Sequence, residues 1–254
     1  MKVSVNIASY KRPKVKTLEF YPHCTVWVAE SEKEAYIKEN PRADIRGVPN
    51  EVQGNVARVR NYILDHTKEF DVVVMIDDDC SGIYRWKGHG KSNFLDEPSL
   101  LEMIEKNSIV TEEWGAKFWG MQVNDDNLSY RVYTPFSTMR FIGGPFQAFL
   151  KGNDLRYDEL LPLKEDYDMT LQQLNKNRIA LRFNMYYYKV KQAEQAGGCA
   201  TMRNYDEEMR QLLLLQKKWG SKIVRFDKTT RSNKGNVQKK FDFNPIIKPP
   251  INGV

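Results

Sequence analysis

The sequence predicts an α/β fold with a mostly parallel central sheet, helices on both of its faces and a strand-rich later half. Strand and helix signals alternate through the first half of the chain, as in successive β-α-β units. Val72 to Ile76 is a continuous apolar run rich in β-branched residues, which suits a strand covered on both faces. That run ends in three consecutive carboxylates, Asp77, Asp78 and Asp79. In open α/β sheets, ligands bind beyond the carboxyl ends of strands, which is where these acids lie.

Taken in order, Val3 to Ala8 reads as the first strand, stopped by the polar loop Ser9 to Pro13. Thr25 to Ala29 is the second strand. Ser31 can cap a helix over Glu32–Glu39, with Glu34 completing a capping box and Asn40-Pro41 ending it. Arg46 to Gln53 reads as a loop, and Gly54-Asn55 precedes a helix from Val56 to His66. After the acid-tipped strand come a short strand from Gly82 to Trp86, a loop at Gly88-His89-Gly90 and a helix from Pro98 to Glu113. Strands are expected at Phe118–Val123, Tyr130–Tyr133, Thr138–Phe141 and Phe146–Leu150, with a turn at Asn124–Asn127. A helix from Asp166 to Asn175, a strand from Ala180 to Val190 and a loop at Gln195–Gly198 follow. The helix Asp206–Trp219 is closed by Gly220, and Ile223–Phe226 is the last strand. The expected organisation is one domain over 1–228 and a basic, extended tail over 229–254. No internal repeat is present.

With 254 residues and 41% hydrophobic content, the chain can bury a full core. No run approaches the ~20 apolar residues of a membrane span, and the first residues enter a strand without a leader pattern. Three widely spaced cysteines, Cys24, Cys80 and Cys199, fit a reducing compartment and argue against a zinc cluster. A cytoplasmic location is therefore expected. The net charge of +6 is concentrated late. Lys217, Lys218, Lys222, Arg225, Lys228, Arg231, Lys234, Lys239 and Lys240 face one acid, Asp227. Such a segment attracts polyanions by neutralising phosphates, although it can also be a solvated surface.

Alternation along a strand places Asp77 and Asp79 on one side and Asp78 on the other, where it could contact a ligand or pin the loop, although a bulge would swap these roles. Two oxygen ligands on one side of a strand end suit a hard divalent cation, Mg²⁺ or Mn²⁺. The bland reading is a solvated acidic turn. Arg58 and Asn61 are three apart and share a helix face, whereas Arg58 and Arg60 do not, so Arg58 and Asn61 are the expected ligand contacts. They can equally be surface residues of an amphipathic helix. Gly143-Gly144 permits close backbone approach to a ligand, or simply turns a hairpin. Asp166 can act as a general base, with Glu165 the alternative, or can be an acid stabilised by the helix dipole. The aromatics Phe183, Tyr186, Tyr187 and Tyr188 read as core and sheet surface before they read as a stacking platform.

The arrangement resembles the GT-A class of nucleotide-sugar glycosyltransferases. Asp77-Asp78-Asp79 after its strand is similar to that class's Asp-X-Asp motif, which holds a metal bridging the donor diphosphate; Asp78, on the other side, could then contact the donor's ribose. The loop Ala8-Ser9-Tyr10-Lys11-Arg12-Pro13 resembles the one that receives the nucleotide base, which implies donor contacts from Ala8, Ser9, Tyr10 and Arg12. Gly54 to Asn61 resembles a helix facing the nucleotide, and Leu163 to Asp168 resembles a Glu-Asp motif whose carboxylate approaches the acceptor hydroxyl. The finer resemblance is to the small glycosyltransferases found beside TET-type base oxygenases, many of them in phage genomes. It implies a UDP-linked sugar donor, acceptor contacts at Gly143 and Gly144, and hydroxymethylated pyrimidine in DNA as acceptor. Glycosyl transfer to protein, lipid or polysaccharide, and nucleic-acid binding with a vestigial transfer site, are the alternatives. In one respect the pattern departs from the class. The histidines are His23, His66 and His89, all early, so none is placed to supply a late third metal ligand.

Overall fold

The computed structural model describes residues 1–88, 90–123, 130–190, 203–227 and 242–251. Its first half alternates as expected: β1 (Val3–Ala8), β2 (Thr25–Ala29), α1 (Lys33–Glu39), β3 (Asp44–Val48), α2 (Val56–Asp65) and β4 (Val72–Asp77). Next come β5 (Cys80–Gly88), β6 (Lys91–Phe94), α3 (Glu97–Glu113), β7 (Phe118–Val123), β8 (Phe136–Ser137) and β9 (Phe146–Leu150). The last elements are α4 (Glu165–Asn177), β10 (Leu181–Val190), α5 (Tyr205–Trp219), β11 (Val224–Asp227) and β12 (Asp242–Ile247).

Ten strands form one sheet in the order β3-β2-β1-β4-β9-β7-β10-β5-β6, with β8 added beside β10. The β3-β2-β1-β4 half is parallel, and β7 and β10 pair parallel. Strand β9 runs antiparallel between β4 and β7, so β1, β4, β7 and β10 all deliver their carboxyl ends to the same edge.

Helices cover both faces because β4 alternates. Val72, Val74 and Ile76 pack with Tyr36 of α1 and Leu100, Met103 and Ile104 of α3. Val73 and Met75 face the other way, onto Ala57, Val59, Ile63 and Leu64 of α2 and Met169 and Leu174 of α4. A smaller cluster joins α4 to α5 and β11 through Leu161, Leu171, Leu212, Leu215 and Val224. The interface is pinned by a buried ion pair, Lys164 Nζ to Glu208 Oε2 at 2.5 Å.

Several elements differ from expectation. The segment read as a loop from Arg46 contains the end of β3, an edge strand whose Asp44 and Arg46 face solvent and disguise its pattern. Tyr130–Tyr133 is not a strand: Val132 and Tyr133 are exposed, and strand propensity alone does not form a strand without a ladder partner. Of Thr138–Phe141, Met139 alone makes a bridge, to Ala180. Ser31 does not cap α1; its hydroxyl donates to Asn50 Oδ1 at 2.9 Å, and a 3₁₀ turn over Glu30–Glu32 leads into the helix. Helix α2 is capped by Asn55, whose Oδ1 accepts from Ala57 N at 3.0 Å and Arg58 N at 3.3 Å. Asn55→Ala should cost about 1 kcal/mol in a urea titration, and an unchanged midpoint would show the cap to be dispensable.

Within the segment expected as a tail, β12 folds back antiparallel onto β11, and Phe243 and Ile247 pack on the α4–α5 cluster. The basic stretch 228–241, the turn at Asn124–Asn127, the loop at Gln195–Gly198, His89 and Cys199 lie outside the described residues. No helix among the described residues is long and apolar enough to cross a membrane.

Candidate active site

The carboxyl ends of β1 and β4 lie side by side, with Ala8 opposite Asp77 in the parallel register. Asp77 is the last strand residue, and Asp78 and Asp79 form the turn into β5. The side chains of Asp77 and Asp78 point apart, as alternation requires, whereas Asp79, in the turn, comes near the same arginine as Asp78. Asp78 is buried and turned to the β1 loop, where Ser9 Oγ donates to it at 2.5 Å and Arg12 Nη1 pairs with its other oxygen. The same guanidinium is 3.6 Å from Asp79 Oδ2.

The β1 loop is held rigidly. Tyr36 OH bonds Ser9 Oγ at 2.8 Å and accepts from Arg12 N at 3.0 Å, while Lys11 N donates to Glu32 Oε2 at 3.0 Å. Lys11 adopts a left-handed conformation, φ 53°, which turns Arg12 back onto Asp78. Tyr10 is half-buried, with the Lys11 ammonium 5.0 Å from its ring centre. Thr17 closes the acid turn from behind, donating to Asp77 O at 2.6 Å and accepting from Cys80 N at 3.0 Å.

Arg60 joins the acid-tipped end of β4 to α4. Its Nη2 donates to Asp77 Oδ1 at 3.0 Å and to Gly144 O at 3.0 Å, and its Nη1 to Glu165 Oε1 at 3.1 Å. It is 3% exposed and lies 5.6 Å from the Tyr157 ring centre. Glu165 and Asp166 open α4. Asp166 Oδ2 accepts from Gly144 N at 3.0 Å, and its Oδ1 from Tyr167 N at 2.8 Å. Gly144 therefore touches both halves of the network, and a Cβ there would sit 3.3 Å from Arg60 Nη1 and Glu165 Oε1.

The sequence-based choice of Arg58 and Asn61 is corrected by the packing of α2. They do share a helix face, but it is turned away from the acids. Arg58 donates to the carbonyls of Glu51 at 2.9 Å and Gln53 at 3.3 Å, fixing the turn before the helix. Asn61 clamps the backbone of Tyr157, donating to its carbonyl at 2.9 Å and accepting from its amide at 2.8 Å. The signal for Arg60 was present: it stands on the apolar stripe of Ala57, Ile63 and Leu64. A cation on such a stripe must be paired once buried.

Carboxylates crowd this edge, and their charge is only partly balanced. Burial and the charges of Asp77 and Asp78 push Asp79 up to about 7, against the pull of Arg12. Burial raises Asp78 and Asp166 as well, and burial with the Asp166 charge raises Glu165 despite its contact with Arg60. Asp77 and Asp79 have side chains 36% and 19% exposed, unlike Asp78 at 8%. Two accessible oxygen-donor side chains in a site with excess negative charge fit a hard divalent cation. They do not form a closed cage: among the described residues, no group of three or more His, Cys, Asp or Glu side chains is placed to hold a metal. His23 pairs with Glu97, and His66 stacks on Tyr62 with Nδ1 2.8 Å from the Tyr62 carbonyl. Phe183, Tyr186, Tyr187 and Tyr188 are all buried in the sheet, as the core reading required.

The profile of the TET-associated glycosyltransferases matches residues 16–198. This chain belongs to that family. No curated protein matches it. Among solved structures, a mycobacterial protein aligns with a TM-score of 0.53 at 11% identity, over 98% of this chain and 84% of that one. Residues 1–349 of S. aureus TarS align at 14% identity and a TM-score of 0.47, over 85% of this chain and 66% of that one. The same TarS fragment in complex with UDP gives 13% identity, 0.47, and coverage of 91% and 74%. In the first TarS alignment the chain spans just under two thirds of that fragment's length. At such identities the likeness is one of fold. The architecture of this TET-associated glycosyltransferase is α/β, with one large sheet and helices on both of its faces, as its sequence led one to expect.

Proposed function

We propose that this TET-associated glycosyltransferase moves a sugar from a UDP-linked donor to the hydroxyl of a hydroxymethylated pyrimidine in DNA, working in the cytoplasm. The observation that supports this reading best is the Arg60 bridge. It ties Asp77, at the strand end that faces a donor, to Glu165 and Gly144, beside Asp166. Acids suited to opposite ends of a transfer reaction thus belong to one rigid network.

In this reading the loop from Ala8 to Arg12 receives the nucleotide, and Asp78 fixes that loop instead of touching the donor. Asp77 and Asp79 would hold Mn²⁺ or Mg²⁺, which would supply positive charge for the departing diphosphate. Asp166 takes the proton of the acceptor hydroxyl as its oxygen bonds to the anomeric carbon; the carbon–oxygen bond to the diphosphate breaks, and its electron pair leaves with the nucleotide. Glu165, committed to Arg60, positions that machinery. Asp166 keeps partial access to solvent, and a raised affinity for protons suits a base that must accept one. Gly144 fits inside this network, between Arg60 and Glu165, and its amide holds Asp166 in place.

Asp166→Asn should lower transfer to hydroxymethylated DNA by about 10²- to 10⁴-fold, the usual worth of a positioned base. UDP-sugar binding, read as a thermal shift with and without Mn²⁺, should be retained. Transfer at the normal rate would remove Asp166 from the mechanism.

A further inference from the structure

We propose that Arg140 and Arg182 form an anion site that takes a backbone phosphate of a nucleic-acid acceptor, next to the Gly143-Gly144 segment. The inference rests on the reading of DNA as acceptor and adds where the strand is gripped. Arg182 lies in β10 between Gly120 of β7 and Ser137 of β8. Its Nε donates to Asn184 Oδ1 at 3.1 Å. Asn184 is 4% exposed and is itself fixed, donating to Thr134 O at 3.1 Å and Ser137 Oγ at 2.9 Å. The guanidinium is thereby oriented through one nitrogen, while its two terminal nitrogens have no acceptor among the described residues. Arg12, Arg58 and Arg60 are also withdrawn from solvent, but each of them has terminal nitrogens on an acceptor.

Arg140 is brought alongside by the backbone. The preceding residue, Met139, bridges Ala180, and Ala180 N donates to Thr138 O at 3.0 Å, two residues before Arg182. Arg140 is exposed and pairs with no carboxylate among the described residues. Burial and the Arg140 charge push the Arg182 guanidinium down to about 10, the direction expected of a cation that lacks a counter-charge. Two guanidinia without carboxylate partners match a phosphate, which accepts paired N–H donors from an arginine fork.

The location is on the side of the candidate base. Phe141 stacks on Tyr167, with ring centres 4.1 Å apart and planes at 13°, and Tyr167 follows Asp166 directly. From Arg140 to Gly144, extended chain spans at most about 14 Å, so an anion held here is near the candidate base. The acids that would face a donor diphosphate lie on β4, which β9 and β7 separate from β10. Three strand spacings amount to about 14 Å, no shorter and no longer than the reach to the base, so the UDP thermal shift below is what tells the two sides apart.

The test measures binding of a hydroxymethylated oligonucleotide against salt concentration for the wild type, Arg140→Gln, Arg182→Lys and Arg140→Gln/Arg182→Gln. Each lost phosphate contact should flatten the slope of log K against log salt by about 0.7–0.9, so the double variant should lose nearly twice that. Arg182→Lys, which keeps charge without the fork, should bind more weakly at a nearly unchanged slope, and the thermal shift given by UDP should not move in any variant. If the wild type binds the oligonucleotide and all variants match it in affinity and slope, this site is overturned and the acceptor reading stands. If the wild type does not bind at low salt, both fall.

Discussion

Arg60→Ala should destabilise the protein by about 3–5 kcal/mol, the usual cost of removing one partner from a buried charge pair, and abolish sugar transfer. The guanidinium satisfies Asp77, Glu165 and the Gly144 carbonyl together, and it is 3% exposed. Without it, Glu165 is left buried on α4 with no cation in contact. Urea unfolding would read the loss of stability. Arg60→Lys should recover part of it, because an ammonium keeps the charge but cannot reach three acceptors with a planar fork. Arg60→Met/Glu165→Leu should regain most of the stability while staying inactive, since the buried charge disappears with its partner. An Arg60→Ala protein as stable as the wild type would show that the network does not hold α2 to α4.

Asp79→Asn should leave the fold intact and reduce metal-dependent transfer by about 10³-fold, corresponding to a few kcal/mol of lost charge stabilisation at the leaving group. Asp79 meets Asp77 and Asp78 as like charges and has Arg12 no nearer than 3.6 Å, so its neutral isostere relieves repulsion in the protein without metal. The thermal midpoint without metal should therefore hold or rise, whereas the additional shift given by Mn²⁺ with UDP should shrink. Retained turnover would end the role of Asp79 as a metal ligand. Together the two variants separate the two sides of the site: one weakens the fold along with transfer, and the other leaves the fold intact while transfer falls.

Much of the site was legible because its chemistry is local. Three carboxylates closing an apolar strand are visible in any reading of the chain, and alternation set Asp78 apart from Asp77 but did not carry into the turn, where Asp79 nears Arg12 together with Asp78. The pair Glu165-Asp166 was equally visible as acids at a helix start. What misled was the choice on α2. Three-residue spacing says which side chains share a face, but not which face the rest of the protein covers. Arg58 and Asn61 do lie together, over the turn before α2 and the Tyr157 backbone. Arg60, on the apolar stripe, is the residue that reaches the acids. The strand expected at Tyr130–Tyr133 failed for a related reason: propensity describes a residue's preference, while a strand exists only where a neighbour supplies its hydrogen bonds.

By itself, then, the sequence determined the alternating α/β architecture, the acid-tipped strand and the residues able to bind or transfer a proton, because these follow from periodicity and side-chain chemistry within a few residues. Tertiary structure alone decided which of these residues act together. The placement of β9 between β4 and β7 brings the Pro145 carbonyl against the Asp77 amide, and the packing of α2 and α4 on one face delivers Arg60 to Glu165 across a hundred residues of chain. The same is true of Arg140 and Arg182, which become neighbours through the pairing of Met139 with Ala180. The physical reason is that a charge's partner is set by burial and distance in space, and neither is a property of spacing along the chain.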